Sequence, residues 1–388
     1  MKNNRILFLA SLVFLMFSCS GTSENSSEVS TQNYITVIKD SLVIDRLSTL
    51  KMLDYHDESG KLLMLDEQLG EIFILDENGE KISSFEPYVE GPNYVESQNF
   101  GWVFLNANEL MAYGRVYFHR LSVEGERLER IEYPIEVRGW ALLDYDPLMI
   151  EAFEVSEGQT QVLTMIPGAL GMSMRDSDVQ DTASVMYKMD LASGQVQVVL
   201  NKPEKSIYKE AGQYYGAGRP LITKLNDNHL AFTHLADTSV FIYDLKGEQL
   251  LSTIGIPKEF QPDVKPVSFN SKDQPKESFV NALIYSTGNQ ILIERIGQIP
   301  DEVYAEIRAM GGMWWQSPEM EAAVKKYMTR KRSLYSENQF LGEVEWNVGG
   351  GFQNIISTNS DFLWVQRDYS DERDYRTFLK VKIVPVEE

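Results

Sequence analysis

Trp314 and Trp315 are adjacent, and each offers a broad ring face and an indole N–H. Such a pair can stack on a sugar or clamp a peptide; it can equally pin neighbouring elements together by packing. A second group lies in Gly-containing stretches: "VEGPNYVESQNFGW" (89–102), "EVRGW" (136–140), "GQYYGAGRP" (212–220) and "VGGGFQN" (348–354). There Arg138, Trp140, Tyr214, Tyr215, Arg219 and Gln353 combine planar stacking with hydrogen bonding. These eight residues are the candidate ligand-binding set.

Signatures of catalysis are missing. His56, His119, His229 and His234 show no metal-binding spacing of the H-E-x-x-H kind. There is no G-x-S-x-G nucleophile elbow and no phosphate-binding glycine signature. "LDENGE" (75–80) lacks the alternating acids and distant Glu of a calcium loop and reads as a hairpin turn. "RDYSDERDY" (367–375) gathers four acids, but a solvated loop accounts for them. No catalytic residue, metal ligand or cofactor is assigned. In the competing reading, a propeller enzyme of lactonase or lyase type holds a calcium ion in its channel. Glu90, Asn93, Asn99, Asn281 and Asn354 are then the first side chains to inspect.

The elements that must position these groups are short hairpins. "KLLMLDEQLGEIFILDENGEKISSF" (61–85) alternates apolar runs with turns rich in Asp, Asn and Gly. Similar units occupy 108–134, 184–200, 228–257, 289–346 and 361–388, and the turn glycines 79, 125, 194 and 247 are 46, 69 and 53 residues apart. Propeller blades repeat at roughly 40–50 residues, and insertions lengthen the gaps. Six units predict an all-β, six-bladed β-propeller; seven blades or two β-domains are the alternatives. "YITVIKDSLVIDR" (34–46) has no hairpin partner and is expected to complete the last blade. Two helices, over 300–312 and 317–332, are expected as a hairpin inserted in the fifth blade. Ser317 suits an N-cap, Pro318 the first turn, and Lys325 to Arg332 the basic end. Met320, Ala323, Val324, Tyr327 and Met328 share one face.

The chain opens with Lys2, Arg5 and an apolar run from Ile6 to Phe17, then Ser18 and the single cysteine, Cys19. A positive start, a short apolar core and a small residue before the cut make a secretory signal. Residues 19–33 read as a flexible tether and 34–388 as the β-domain. One cysteine excludes an intrachain disulfide or a thiolate cluster. The leader resembles a bacterial lipoprotein signal, although Met16 stands where Leu is usual; a plain secretory signal is the alternative. Losing Lys2 and Arg5 takes the net charge from −21 to −23, which disfavours nucleic-acid binding.

Leader, "EGPNYV" loop, repeated turns and helical insert together resemble a bacterial lipoprotein family of unknown function built on six-bladed, TolB-like β-propellers. The resemblance implies a cell-envelope protein, lipid-anchored to the outer membrane at Cys19, and brings no catalytic residue. The reading is a non-catalytic binding or scaffolding protein whose partner is a glycan, a peptide or an envelope protein.

Overall fold

Apolar runs such as Leu62–Leu65 and Ile72–Leu75 do not alternate with polar residues, so their strands must be buried on both faces. The computed structural model meets that demand with stacked sheets. It describes residues 32–96, 99–114, 117–132, 150–156, 159–164, 186–191, 193, 195–199, 202–210, 212–216, 220–226, 229–244, 249–349, 354–369 and 373–387.

Strand β1 (Tyr34–Asp45) is followed by a first antiparallel sheet of β2 (Leu50–His56), β3 (Lys61–Asp66), β4 (Glu71–Leu75) and β5 (Lys81–Phe85). The second contains β6 (Asn99–Asn106), β7 (Glu109–Gly114), β8 (Tyr117–Ser122) and β9 (Arg127–Glu132). The third contains β10 (Ile150–Ser156), β11 (Gln159–Thr164), β12 (Met186–Asp190) and β13 (Val196–Val199). After β14 (Gln213–Tyr214) comes the fourth, with β15 (Pro220–Asn226), β16 (His229–His234), β17 (Ser239–Asp244) and β18 (Gln249–Gly255). β19 (Asp263–Lys265) and β20 (Val267–Ser268) follow, the latter pairing with β14.

The remaining strands form a nine-stranded sheet with two halves. One half holds β21 (Lys276–Thr287), β22 (Gln290–Gly297), β23 (Arg330–Ser336) and β24 (Phe340–Glu345), with β19 at its edge. The other holds β25 (Ile355–Ile356), β26 (Leu363–Gln366), β27 (Tyr375–Pro385) and β1. The halves join where Tyr34 and Ile35 pair in parallel with Val344 and Glu345 and again at a single parallel bridge, Thr287↔Thr358, whereas β1 pairs antiparallel with β27 from end to end. The N-terminal strand therefore lies beside the last hairpin, as its lack of a local partner predicted.

Two-sided burial is visible residue by residue. Leu63, Ile72 and Ile74 pack with Trp102, Phe104 and Leu121 of the second sheet. Their neighbours Leu62, Met64 and Phe73 pack with Leu42, Ile356, Trp364 and Phe378. Likewise Ile291, Ile293 and Tyr335 pack with Leu221 and Val240, while Leu292 and Leu334 pack with Val365 and Leu379. The first strands lie side by side: β2 with β6, β6 with β10, β10 with β15, β15 with β21, and β25 with β2. Register slips recur in them, at Met52/Asp54, Phe104/Asn106, Glu154/Ser156, Lys224/Asn226 and Asn281/Leu283. Mostly-β and repetitive, the arrangement is propeller-like.

The turns behave as their residues dictate. Gly79 sits at φ +86°, and Asp76 Oδ1 accepts bonds of 2.9 Å from the backbone of Asn78 and Glu80, so "LDENGE" is a structural turn. Gly125 is also left-handed, at φ +84°.

Two helices, α1 (Asp301–Ala309) and α2 (Pro318–Tyr327), lie between β22 and β23. Ser317 caps α2 through a 3.1 Å bond from Met320 N–H. The helix ends five residues before the expected limit, because Arg330 and Arg332 belong to β23 and pair with Glu294 of β22, which is only 1% exposed. Leaving that carboxylate unpaired in the interior would cost several kcal/mol, so the basic residues follow the strand rather than the helix dipole. The anticipated apolar face of α2 is correspondingly thin: Ala323 is buried, Val324 is exposed, and Met320 and Tyr327 are half-buried.

Candidate functional site

Four of the predicted ligand-binding residues are described, and these are not assembled into one place. Arg138, Trp140, Arg219 and Gln353 lie outside the described residues, as does Cys19. Tyr214 is buried in the β14–β20 ribbon with its ring 5.9 Å from Phe269, a packing role. Tyr215 keeps some exposure, donates its hydroxyl to Glu210, and meets the edge of Tyr208 at 5.9 Å. Burial and that carboxylate both raise the Tyr215 pKa. Trp314 is half-buried against Tyr304 at 5.1 Å, while its neighbour Trp315 is 55% exposed. The pair thus divides its work between packing and presentation.

The histidines have local partners. His56 Nδ1 is 2.9 Å from Ser59 Oγ, His119 Nε2 is 3.1 Å from Glu96, His229 Nδ1 is 3.0 Å from Glu337, and His234 Nδ1 is 2.9 Å from Asp237. No group of three or more metal-ligating side chains converges among the described residues. Of the side chains named for calcium, Glu90 and Asn93 are exposed and the side chain of Asn99 is outside the described set. Asn354 donates to Met52 O. Asn281 is buried, donates to His234 O and Asp237 O, and accepts from Arg295 Nε at 3.1 Å. A guanidinium on its oxygen repels a cation there.

A different cluster forms toward the C-terminal ends of the first strands. Asp54 and His56 come from β2 and Asp57 from the turn after it; Thr223 and Lys224 come from β15, and Ser286 from β21. Ser357 follows β25. Thr223 Oγ1 lies 3.1 Å from Ser286 Oγ and 3.3 Å from Ser357 Oγ, and Ser286 N–H donates to Ser357 Oγ at 3.0 Å. Asp57 accepts from the backbone of Asn359 and Ser360 at 2.8 and 3.1 Å, tying the first sheet to the last.

Asp54 is the electrostatic centre of this cluster. The residue is half-buried, and protein surrounds its carboxyl. That enclosure pushes its pKa up to about 7; bonds from the backbone of Phe104 (2.6 Å) and Tyr55 resist the rise, Asp57 adds to it, and Lys224 opposes it. His56 is held below its ordinary value, first by burial, with Lys61 and Lys224 adding to the effect and Glu58 and Asp57 opposing it. Lys224 therefore lies close enough to bias both.

A pH prediction follows for stability. The native carboxyl of Asp54 binds its proton more tightly than the unfolded one, at about 7 against 3.8. Its contribution is full below pH 3.8 and is lost as pH rises through 7. Asn retains an acceptor for Phe104 N–H and carries no charge. Asp54→Asn is thus expected to melt above wild type at pH 8 and close to it at pH 4, by calorimetry at both values; an equal offset at both would refute the assignment.

The Gly-containing stretches 89–102, 212–220 and 348–354 enter β6, β15 and β25, whereas this cluster sits toward the other ends of the first strands. Its only signal in the sequence is charge within largely apolar strands: Asp54 beside Lys51 in "LKMLDYH", and Lys224 in "PLITKLN".

Fold and site define a mostly-β, propeller-like protein with a polar cluster where its first strands end. No family model matches the sequence, and no curated protein matches it significantly. Among solved structures it is similar to a member of the DUF4221 family from Bacteroides vulgatus, with 12% identity, 92% of this chain and 100% of that chain covered, and a TM-score of 0.61. Streptogramin B lyase (12% identity, 90% and 98% covered, TM-score 0.41) and BamB from Moraxella catarrhalis (9%, 89% and 99%, 0.38) are more distant. At these identities the first likeness speaks for the fold alone, and the other two carry no argument.

Proposed function

We propose that the protein is a lipid-anchored cell-envelope protein, tethered at Cys19 to the outer membrane, whose β-domain binds a glycan, a peptide or a partner protein without transforming it. The six four-stranded units are the blades of one ring, and α1 and α2 are an insertion in the fifth. The observation that carries this reading is the meeting of first-strand side chains, where Thr223 of the fourth unit bonds Ser286 of the fifth and Ser357 of the last, and where Lys224 biases the Asp54 carboxyl. Asp54 belongs to the first unit and Lys224 to the fourth, which stand opposite each other in a ring of six. A shared central channel brings them within electrostatic reach, and Asp54, His56 and Lys224 line it where a polar ligand enters.

The test is a thermal-melt screen of residues 20–388 against calcium, glycans and peptides. A ligand at ~100 times its dissociation constant stabilises by about 2.7 kcal/mol when it binds only the folded state. A glycan or peptide is expected to raise the melting temperature, and Asp54→Asn or Lys224→Met to abolish the shift. A shift with calcium alone would replace this reading with the lactonase or lyase one. No described helix is long and apolar enough to cross a membrane; mass spectrometry of the membrane-extracted protein, expected to find acyl chains on Cys19, tests the anchor separately.

A further inference from the structure

Eight methionines have described side chains, and burial sorts them sharply. Met52, Met64, Met111 and Met189 lie within the sheets at 0–1% exposure, and Met320 and Met328 are half-buried. Met310 and Met313 are 60% and 63% exposed. They belong to the turn between α1 and α2, "AMGGMWWQSP" (309–318), ten consecutive residues without a charge. Gly311 and Gly312 separate them at φ +74° and +61°, and a Cβ at either glycine would find no heavy atom within 4 Å. The residues between the two thioethers therefore screen neither of them. The backbone beneath is braced all the same. Trp314 stands edge-on between Tyr304 at 5.1 Å and Trp315 at 5.7 Å, Gln316 N–H bonds to Met313 O at 2.9 Å, and the helices behind the turn bury Ile307 and Ala323.

We infer that Met310 and Met313 form a modification site, at which a hydroperoxide oxidises each thioether to the sulfoxide. The site is independent of what the β-domain binds and of any anchor at Cys19. The sulfur lone pair attacks the outer oxygen of the peroxide, and an S–O bond forms as the O–O bond breaks. The proton on that oxygen passes to the leaving one, which departs as water or an alcohol. Sulfur gives up two electrons and the peroxide takes them. Access decides which methionine reacts: a core sulfur meets peroxide only when its sheet opens, whereas a sulfur on the turn meets it directly. The product is polar and chiral where the thioether was flexible and apolar. Two such changes, three residues apart, place two strong acceptors on an uncharged turn. The bracing contacts run through Tyr304, Trp314, Trp315, Gln316 and the Met313 backbone, so the turn keeps its shape while its surface changes. Sulfoxide reductases return the thioether, which makes the change reversible.

The test exposes the purified native protein to graded hydrogen peroxide and reads the oxygen gained at each methionine by mass spectrometry of the digest. Met310, Met313 and Met320 share one tryptic peptide (309–325), which fragmentation resolves, so half-buried Met320 serves as an internal reference. Met310 and Met313 are expected to take up oxygen at least about tenfold faster than Met52, Met64, Met111 and Met189. The melting temperature should hold at the untreated value while only these two are modified, and reductases specific for the two sulfoxide epimers should remove both oxygens. Met310→Leu with Met313→Leu keeps size and apolarity and should erase the fast phase alone. A turn no faster than the core would overturn the inference, as would a fast phase that survives in the double variant. A fall in melting temperature before any core methionine reacts would refute the unchanged shape of the turn, and oxygen that the reductases leave in place would refute reversibility.

Discussion

Asp237→Ala is expected to destabilise the protein by about 3–5 kcal/mol, the range for breaking a buried charged network by removing one member. Asp237 is fully buried. Its Oδ2 accepts from Ser206 Oγ at 2.7 Å and lies 2.9 Å from His234 Nδ1, and its Oδ1 accepts from Ile207 N–H at 3.0 Å. The same segment is held by Asn281, which bonds to Asp237 O, and Asn281 is held in turn by Arg295, which also donates to Tyr335 Oη at 2.6 Å. Alanine strands the buried Ser206 and His234 side chains and the half-buried Ile207 N–H, whereas Asp237→Asn keeps the shape and at least one acceptor and should cost clearly less. Chemical denaturation of both variants checks the order. If alanine and asparagine cost the same small amount, the network does not hold the fourth and fifth units together.

That network also marks what could be read from the chain alone. Hairpins were legible because their determinants are local: the bonds of the Asp76–Gly79 turn close within residues 76–80. The start of α2 was equally legible, since Ser317, Pro318 and Glu319 act within one turn. Its end was not, because Arg330 and Arg332 answer to Glu294, which is thirty-six residues from Arg330 in sequence but beside it in the sheet. Strand β21 was missed for a similar reason. "KESFVNALIYST" opens with polar residues and carries Asn281 in its middle, and only pairing with β22 and β19 makes it a strand. The cluster around Asp54 is the extreme case, drawing on positions 54, 224, 286 and 357. A charge in a largely apolar strand becomes informative only once that strand is known to be the first of its sheet.

Removing residues 32–45 is expected to abolish cooperative unfolding altogether. β1 makes eleven register pairs with β27, from Tyr34↔Pro385 to Asp45↔Tyr375. Thr36 Oγ1 accepts from Asn347 N–H at 3.0 Å, and Val386 N–H donates to Asn33 O at 2.9 Å. Burial of Leu42 alone is worth ~2 kcal/mol, and each ladder bond adds about 0.5–1.5 kcal/mol. The sum reaches the roughly 5–15 kcal/mol by which folded domains exceed their unfolded chains. Loss of the strand also opens β27 as a long unpaired edge, so the shortened chain should aggregate as well as unfold. Circular dichroism melts of chains beginning at residues 20, 32 and 46 make the comparison: the first two should coincide and the third should show no transition. Gly342→Ala probes the other edge of the same strand. Its Cβ would collide with the Gln32 carbonyl, pushing the chain off β24 while leaving the β27 ladder intact. A partial loss there beside a total loss on deletion would mean that β27 carries the closure and β24 only guides it; a melt unchanged by the deletion would mean that the N-terminal strand decorates a domain already complete.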